Sequence, residues 1–147
     1  MKYTIIFCLC FFLFNSTAFS QNELNSVKAQ LAGTDRIKWV FEKLERTMGD
    51  RKAVKDTKCG NAKFATIILE IQGSRYFASS CKDTTTTKGN WILKEKGFET
   101  FTLTLDQEYD VDIYTRTSGK TQRKYMRLRI PGIKINQPSI EITYYAQ

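Results

Sequence analysis

Four carboxylates fall within seven residues, Asp106, Glu108, Asp110 and Asp112. Paired acids of this kind serve acid–base catalysis or hold a hard cation. In an extended segment, however, alternation places Glu108, Asp110 and Asp112 on one face and Val111 and Ile113 on the other, so the acids belong to a solvated face. The glycine and the twelfth-position glutamate of a calcium loop do not accompany them. The chain contains no histidine, which removes Ser-His and Cys-His nucleophiles and imidazole metal ligands. The reading is a non-enzyme with no catalytic residue, no metal ligand set and no cofactor.

A second group is basic. Lys120, Arg123, Lys124, Arg127 and Arg129 form a stretch without an acid, interleaved with Tyr125. A basic sheet face carrying aromatic rings can follow an anionic backbone. The partners expected are an anionic glycan, a lipid headgroup or an acidic protein, and not nucleic acid. The structural reading of the same residues is neutralisation by the acids of the 108–112 segment as cross-strand pairs.

The leader decides which partners the chain meets. Lys2, the apolar IIFCLCFFLF and Ala18-x-Ser20 before Gln21 compose a secretory signal peptide over residues 1–20. The apolar run is about ten residues, half of the roughly 20 that a spanning helix needs. Export to the periplasm or the cell exterior is expected, with no transmembrane segment in the mature chain. Residues 21–147 suffice for one domain. They carry 22 basic and 15 acidic residues, a balance of +7, which favours anionic surfaces or simply solubility.

The elements that would position these groups follow from periodicity. Leu24, Val27 and Leu31 predict a short helix over 22–33 stopped by Gly33. Residues 35–48 fit a helix through Ile37, Val40, Phe41, Leu44 and Met48, and a strand through Ile37, Trp39 and Phe41. Residues 48–61 read as a charged loop, and KFATIILEIQ as a strand turned at Gly73-Ser74 onto RYFASS. Asp83 to Gly89 reads as a polar loop. Strands are then expected at NWILKEK, FETFTLTLD, YDVDIYTR, KYMRLRI and SIEITYYA, with a short edge piece at IKIN between Pro131-Gly132 and Pro138.

From Cys59 to Trp91 two cysteines bracket an apolar run and Gly89-Asn90-Trp91 opens the next. This layout resembles the small exported lipocalin-like domains of bacteria, over Leu31 to Tyr145. It departs from them in that Gly33 precedes Trp39 by six positions, not two. The resemblance implies an all-β fold, an eight-stranded antiparallel up-and-down barrel with a short N-terminal helix, whose first strand is residues 36–48. Eight strands close a barrel wide enough for side chains or one small ligand.

Cys59 and Cys81 are then a structural disulfide, in keeping with an oxidising compartment. With Gln72 opposite Arg75, Cys81 falls opposite Thr66, seven residues from Cys59, so the loop must fold back or a bulge must shift the register. The function implied is a non-enzymatic binding domain holding a small hydrophobic ligand, with Trp39, Trp91, Phe101, Leu103, Val111, Met126, Leu128 and Tyr144 lining the barrel. The same side chains can instead fill it. The alternative is a solid-core envelope interaction or inhibitor module using the basic face or the rim loops.

Overall fold

The computed structural model describes residues 21–47, 54–97, 99–132 and 137–147. The expected signal peptide over residues 1–20, the segment 48–53 and the IKIN piece lie outside the described residues. The expected N-terminal helix is present as α1, residues 21–32. Gly33 ends it with φ +66° and its N–H on the carbonyl of Ala29 at 2.8 Å, a left-handed cap that glycine adopts without steric cost.

Ten strands follow: β1 (Arg36–Thr47), β2 (Val54–Asp56), β3 (Phe64–Glu70), β4 (Arg75–Ser80), β5 (Thr86–Asn90), β6 (Ile92–Gly97), β7 (Thr100–Thr104), β8 (Glu108–Ser118), β9 (Thr121–Ile130) and β10 (Ser139–Ala146). All the pairings are antiparallel. The order is β5-β4-β3-β1-β10-β9-β8-β7-β6, with β2 on β1. The segment 35–48, ambiguous by period, is strand over Arg36–Thr47 because β1 finds β3 along its first half and β10 along most of its length. Pairing on both sides overrides a helical pattern.

The architecture corrects the expected eight-stranded closed barrel. Nine strands form a curled half-barrel, and β5 and β6, at opposite ends of the hydrogen-bonded order, are joined through Trp91 alone. The peptide chain, rather than a ladder, ties the two ends of the sheet. Trp91 fixes this corner: its backbone N–H donates to Ser74 O at 2.7 Å and its indole N–H to Glu70 O at 2.9 Å.

Three local expectations are also corrected. The polar loop 83–89 gives up residues 86–89 to β5, held by pairing with β4 rather than by apolar side chains, and the expected strand NWILKEK loses Asn90 to β5 and begins at Ile92. The charged loop 48–61 contains β2 and a 3-10 turn at Cys59–Asn61. The β3–β4 connection spans residues 71–74, closed by Glu70 opposite Arg75, with Gly73 and Ser74 both at positive φ.

A one-residue bulge between Phe64 and Thr66 then shifts the register and turns Phe64 inward beside Ile67 and Leu69. Cys81 N–H donates to Lys63 O at 3.1 Å, and the 3-10 turn brings Cys59 back over that point. The two cysteines meet at disulfide distance, Cα–Cα 5.3 Å. Both routes anticipated for the bridge, bulge and fold-back, operate together.

The core is one cluster. It takes Leu31 and Ala32 from α1, Trp39 and Leu44 from β1, Ile67 and Leu69 from β3, Leu103 from β7, Met126 and Leu128 from β9, and Ile142 and Tyr144 from β10. The indole of Trp39, fully buried, donates to Leu31 O at 2.9 Å and pins the helix over one end of the curl. The hydroxyl of Tyr144 crosses the interior to Phe64 O at 3.1 Å.

Candidate functional site

The eight positions expected to line a cavity belong to this cluster: Trp39, Trp91, Leu103, Val111, Met126, Leu128 and Tyr144 are buried in it, and Phe101 packs against it partly exposed. Phe101 and Val111 reach a surface groove of about 500 Å³ that also carries Lys96, Asp110 and Arg127. Trp91 borders another of about 320 Å³.

The clustered acids do not converge. Asp106 is held by Lys63 and the hydroxyl of Tyr109, Asp110 by Lys96 at 2.7 Å, and Asp112 by Arg127. These three carboxylates are held by three different cations, and Glu108 is exposed. Burial pushes the Tyr109 phenol up, and the Asp106 carboxylate beside it, which also accepts its proton in a hydrogen bond, pushes it further.

The basic stretch divides in two. Arg129 lies opposite Glu141 and Arg127 opposite Asp112 in the register. Arg127 bonds Asp112 and also Glu141 at 3.3 Å, and Arg129 bonds Glu141 at 3.3 Å. These two arginines are neutralised by β8 and β10, as cross-strand pairing predicts.

Lys120, Arg123 and Lys124 lie beyond the reach of those acids. β7 accompanies β8 only as far as Val111, and β10 accompanies β9 only from Tyr125 onward. Between them β8 and β9 continue as a two-stranded ribbon, closed by Ser118 opposite Thr121. Gly119, at φ +60°, takes the first turn position, where glycine is favoured.

On the ribbon's outer face Arg116 stands directly opposite Arg123. Among the described residues no carboxylate lies within ion-pair distance of Arg116, Lys120, Arg123 or Lys124. Directly opposed like charges destabilise a ladder. Aromatic rings offset this. Tyr114 and Tyr125 stack at 5.4 Å between centroids and 13° between planes. The Arg116 guanidinium lies 5.0 Å from the first ring and 5.3 Å from the second, and Arg123 lies 4.8 Å over Tyr145. Contacts of this type are worth about 0.5–1 kcal/mol each at exposed sites.

Lys124 turns to the other face and donates to Gln30 O, near the C-terminal end of α1, at 3.4 Å. The site is therefore a strip of exposed cations on a ring-supported ribbon. Arg116 and Tyr114 are the members that sequence reasoning missed. Their signal was parity, since Arg116 follows Asp112 and Tyr114 on the same strand face just where the acids stop.

Comparison with known proteins gives no match to a family model, a curated protein or a solved structure. Among the described residues no helix is long and apolar enough to cross a membrane.

Proposed function

We propose that this chain is an exported, non-enzymatic interaction module that binds an anionic partner through the β8–β9 ribbon, with Arg116, Lys120 and Arg123 as the contact cations and Lys124 at its base. One observation carries the reading: Arg116 and Arg123 face each other across a ladder with no carboxylate among the described residues to separate them. The ladder accepts this repulsion, and an anion laid across both guanidiniums would relieve it. Arginine suits the role because its planar fork binds carboxylate, sulfate or phosphate in a bidentate way. The side chains that would line a ligand cavity are packed against one another, and this favours an outer binding surface over a carrier role.

Retention on immobilised heparin, the probe polyanion, tests the reading. The pair Arg116→Glu and Arg123→Glu is expected to elute at markedly lower salt than the parent. The pair Lys82→Glu and Lys88→Glu, exposed on the β4–β5 connection and on β5, makes the same change in net charge and is expected to shift far less. Equal shifts would mean that net charge alone drives retention, and would refute a defined site.

A further inference from the structure

We infer that the partner docks as an added β-strand: an extended acidic segment of another protein pairs with the open edge of β8, residues 112–118. This rests on the anion-binding reading of the ribbon and adds the partner's class and its mode of attachment.

The edge is long and regular. β8 continues for seven residues past its last pairing with β7 at Val111, and its register with β9 runs through to Ser118 without a shift. Along that length alternate backbone N–H and C=O groups point away from β9, where among the described residues no strand meets them. The sequence DIYTRTS is rich in β-branched and aromatic residues and has no proline. Edges of this length are ordinarily blunted by proline, a bulge, an inward charge or a covering element. Among the described residues no proline, bulge or inward charge occurs from Ile113 to Ser118, α1 comes beside the edge at Ile113 through Val27 and Gln30, and the one charged side chain there, Arg116, lies over Tyr114 and Tyr125.

Strand addition takes affinity from the backbone and specificity from pockets for alternate side chains. At the start of the open edge a groove of about 230 Å³ is lined by the apolar Val27, Phe101, Val111 and Ile113 and by Gln30, Glu99 and Asp112. Its apolar side can take a side chain opposite Ile113, and its two carboxylates leave the partner's acids to the Arg116 end of the edge. On the outer face the register offers Asp112, already held by Arg127, then Tyr114 and Arg116, and no acid occurs in the chain from Ile113 through Ile140. An incoming segment of alternating acidic and apolar residues would set its carboxylates against Arg116 and its apolar side chains toward Ile113. Charge complementarity thus selects an acidic strand over a second copy of this basic chain, whose own Arg116 would add to the repulsion.

The probe is the synthetic peptide (Glu-Val)4, added to the mature protein and followed by amide hydrogen exchange. Exchange at residues 112–118 is expected to slow at least tenfold. The same peptide N-methylated at the alternate amides that would face the edge keeps its charge and loses the ladder, and is expected to give no protection. With Arg116→Glu and Arg123→Glu in place, preference should move from (Glu-Val)4 to (Lys-Val)4.

Equal binding of the N-methylated peptide, or protection absent from 112–118, would overturn strand addition and leave the anion-binding reading intact. Heparin retention without any peptide binding would do the same and indicate a glycan-type partner. Failure of both heparin and peptide would overturn the two together.

Discussion

Gly89 faces Tyr76 across the β4–β5 ladder, and the aromatic ring takes the space that a side chain would fill. A Cβ built at Gly89 comes within 2.8 Å of Tyr76 Cε1. The Gly89-Asn90-Trp91 motif therefore has a packing basis: glycine admits the ring, and Trp91 two residues later makes the corner. Gly89→Ala gains about 0.4–1 kcal/mol by restricting the unfolded chain but overpacks the ring contact, which costs about 1–3 kcal/mol. A net loss on the order of 1–2 kcal/mol is expected in urea unfolding. In a Tyr76→Ala background the clash is gone, and Gly89→Ala should become neutral or slightly stabilising. An equal cost in both backgrounds would place the constraint in the backbone instead.

Among the elements, the β3–β4 hairpin and its bridge show how far local pattern reaches. The bounds of β4 and β10 could be read to the residue, because RYFASS and SIEITYYA are each stopped by turn residues or by a change of pattern. β1 could not be told from a helix locally, since its strand state comes from partners that lie far along the chain. β5 escaped because TTTTKGN has no apolar face, and its one requirement is a free edge on β4. In the candidate site, Lys120, Arg123 and Lys124 were visible as a run without acids. The neutralisation of Arg129 was not, because Glu141 arrives from another strand.

The cysteine bridge joins a legible pair through an illegible route, the bulge at Ala65 and the turn at Cys59. It closes a loop of 22 residues, which should stabilise the fold by about 3 kcal/mol through the unfolded chain. The double variant Cys59→Ser and Cys81→Ser is expected to unfold at a correspondingly lower urea concentration, with its far-ultraviolet spectrum retained. Unchanged stability would show that the hairpin is held without the bridge.

At the scale of the whole molecule most charges are paired across neighbouring strands, and the cations of the ribbon stand apart from them. Cations without acids occupy the β8–β9 ribbon, whereas buried phenols gather around Asp106. Burial raises the Tyr144 pKa above its ordinary 10.0, with the neighbouring Tyr109 and Asp106 adding to the effect. Tyr109 is raised by burial and then by Asp106, and Tyr76 by burial and then by Asp106. These three side chains come from β10, β8 and β4, so their state reports on the entire curl.

The sign of the linkage follows directly. Below pH 10 the phenols are protonated in both folded and unfolded chains, and their contribution to stability is intact. Above pH 10 the unfolded chain releases protons that the folded one keeps, so stability falls as pH rises. Each strongly raised group contributes a slope of up to about 1.4 kcal/mol per pH unit. The unfolding free energy in urea should therefore be flat from pH 8 to 9.5 and drop steeply to pH 11. Tyr109→Phe removes one titrating group without removing a ring from the core, and should reduce that slope by about one group's share while costing some stability at neutral pH. A parent curve that stayed level through pH 11 would mean that these hydroxyls ionise in the folded protein, and that the interior near Asp106 is open to water.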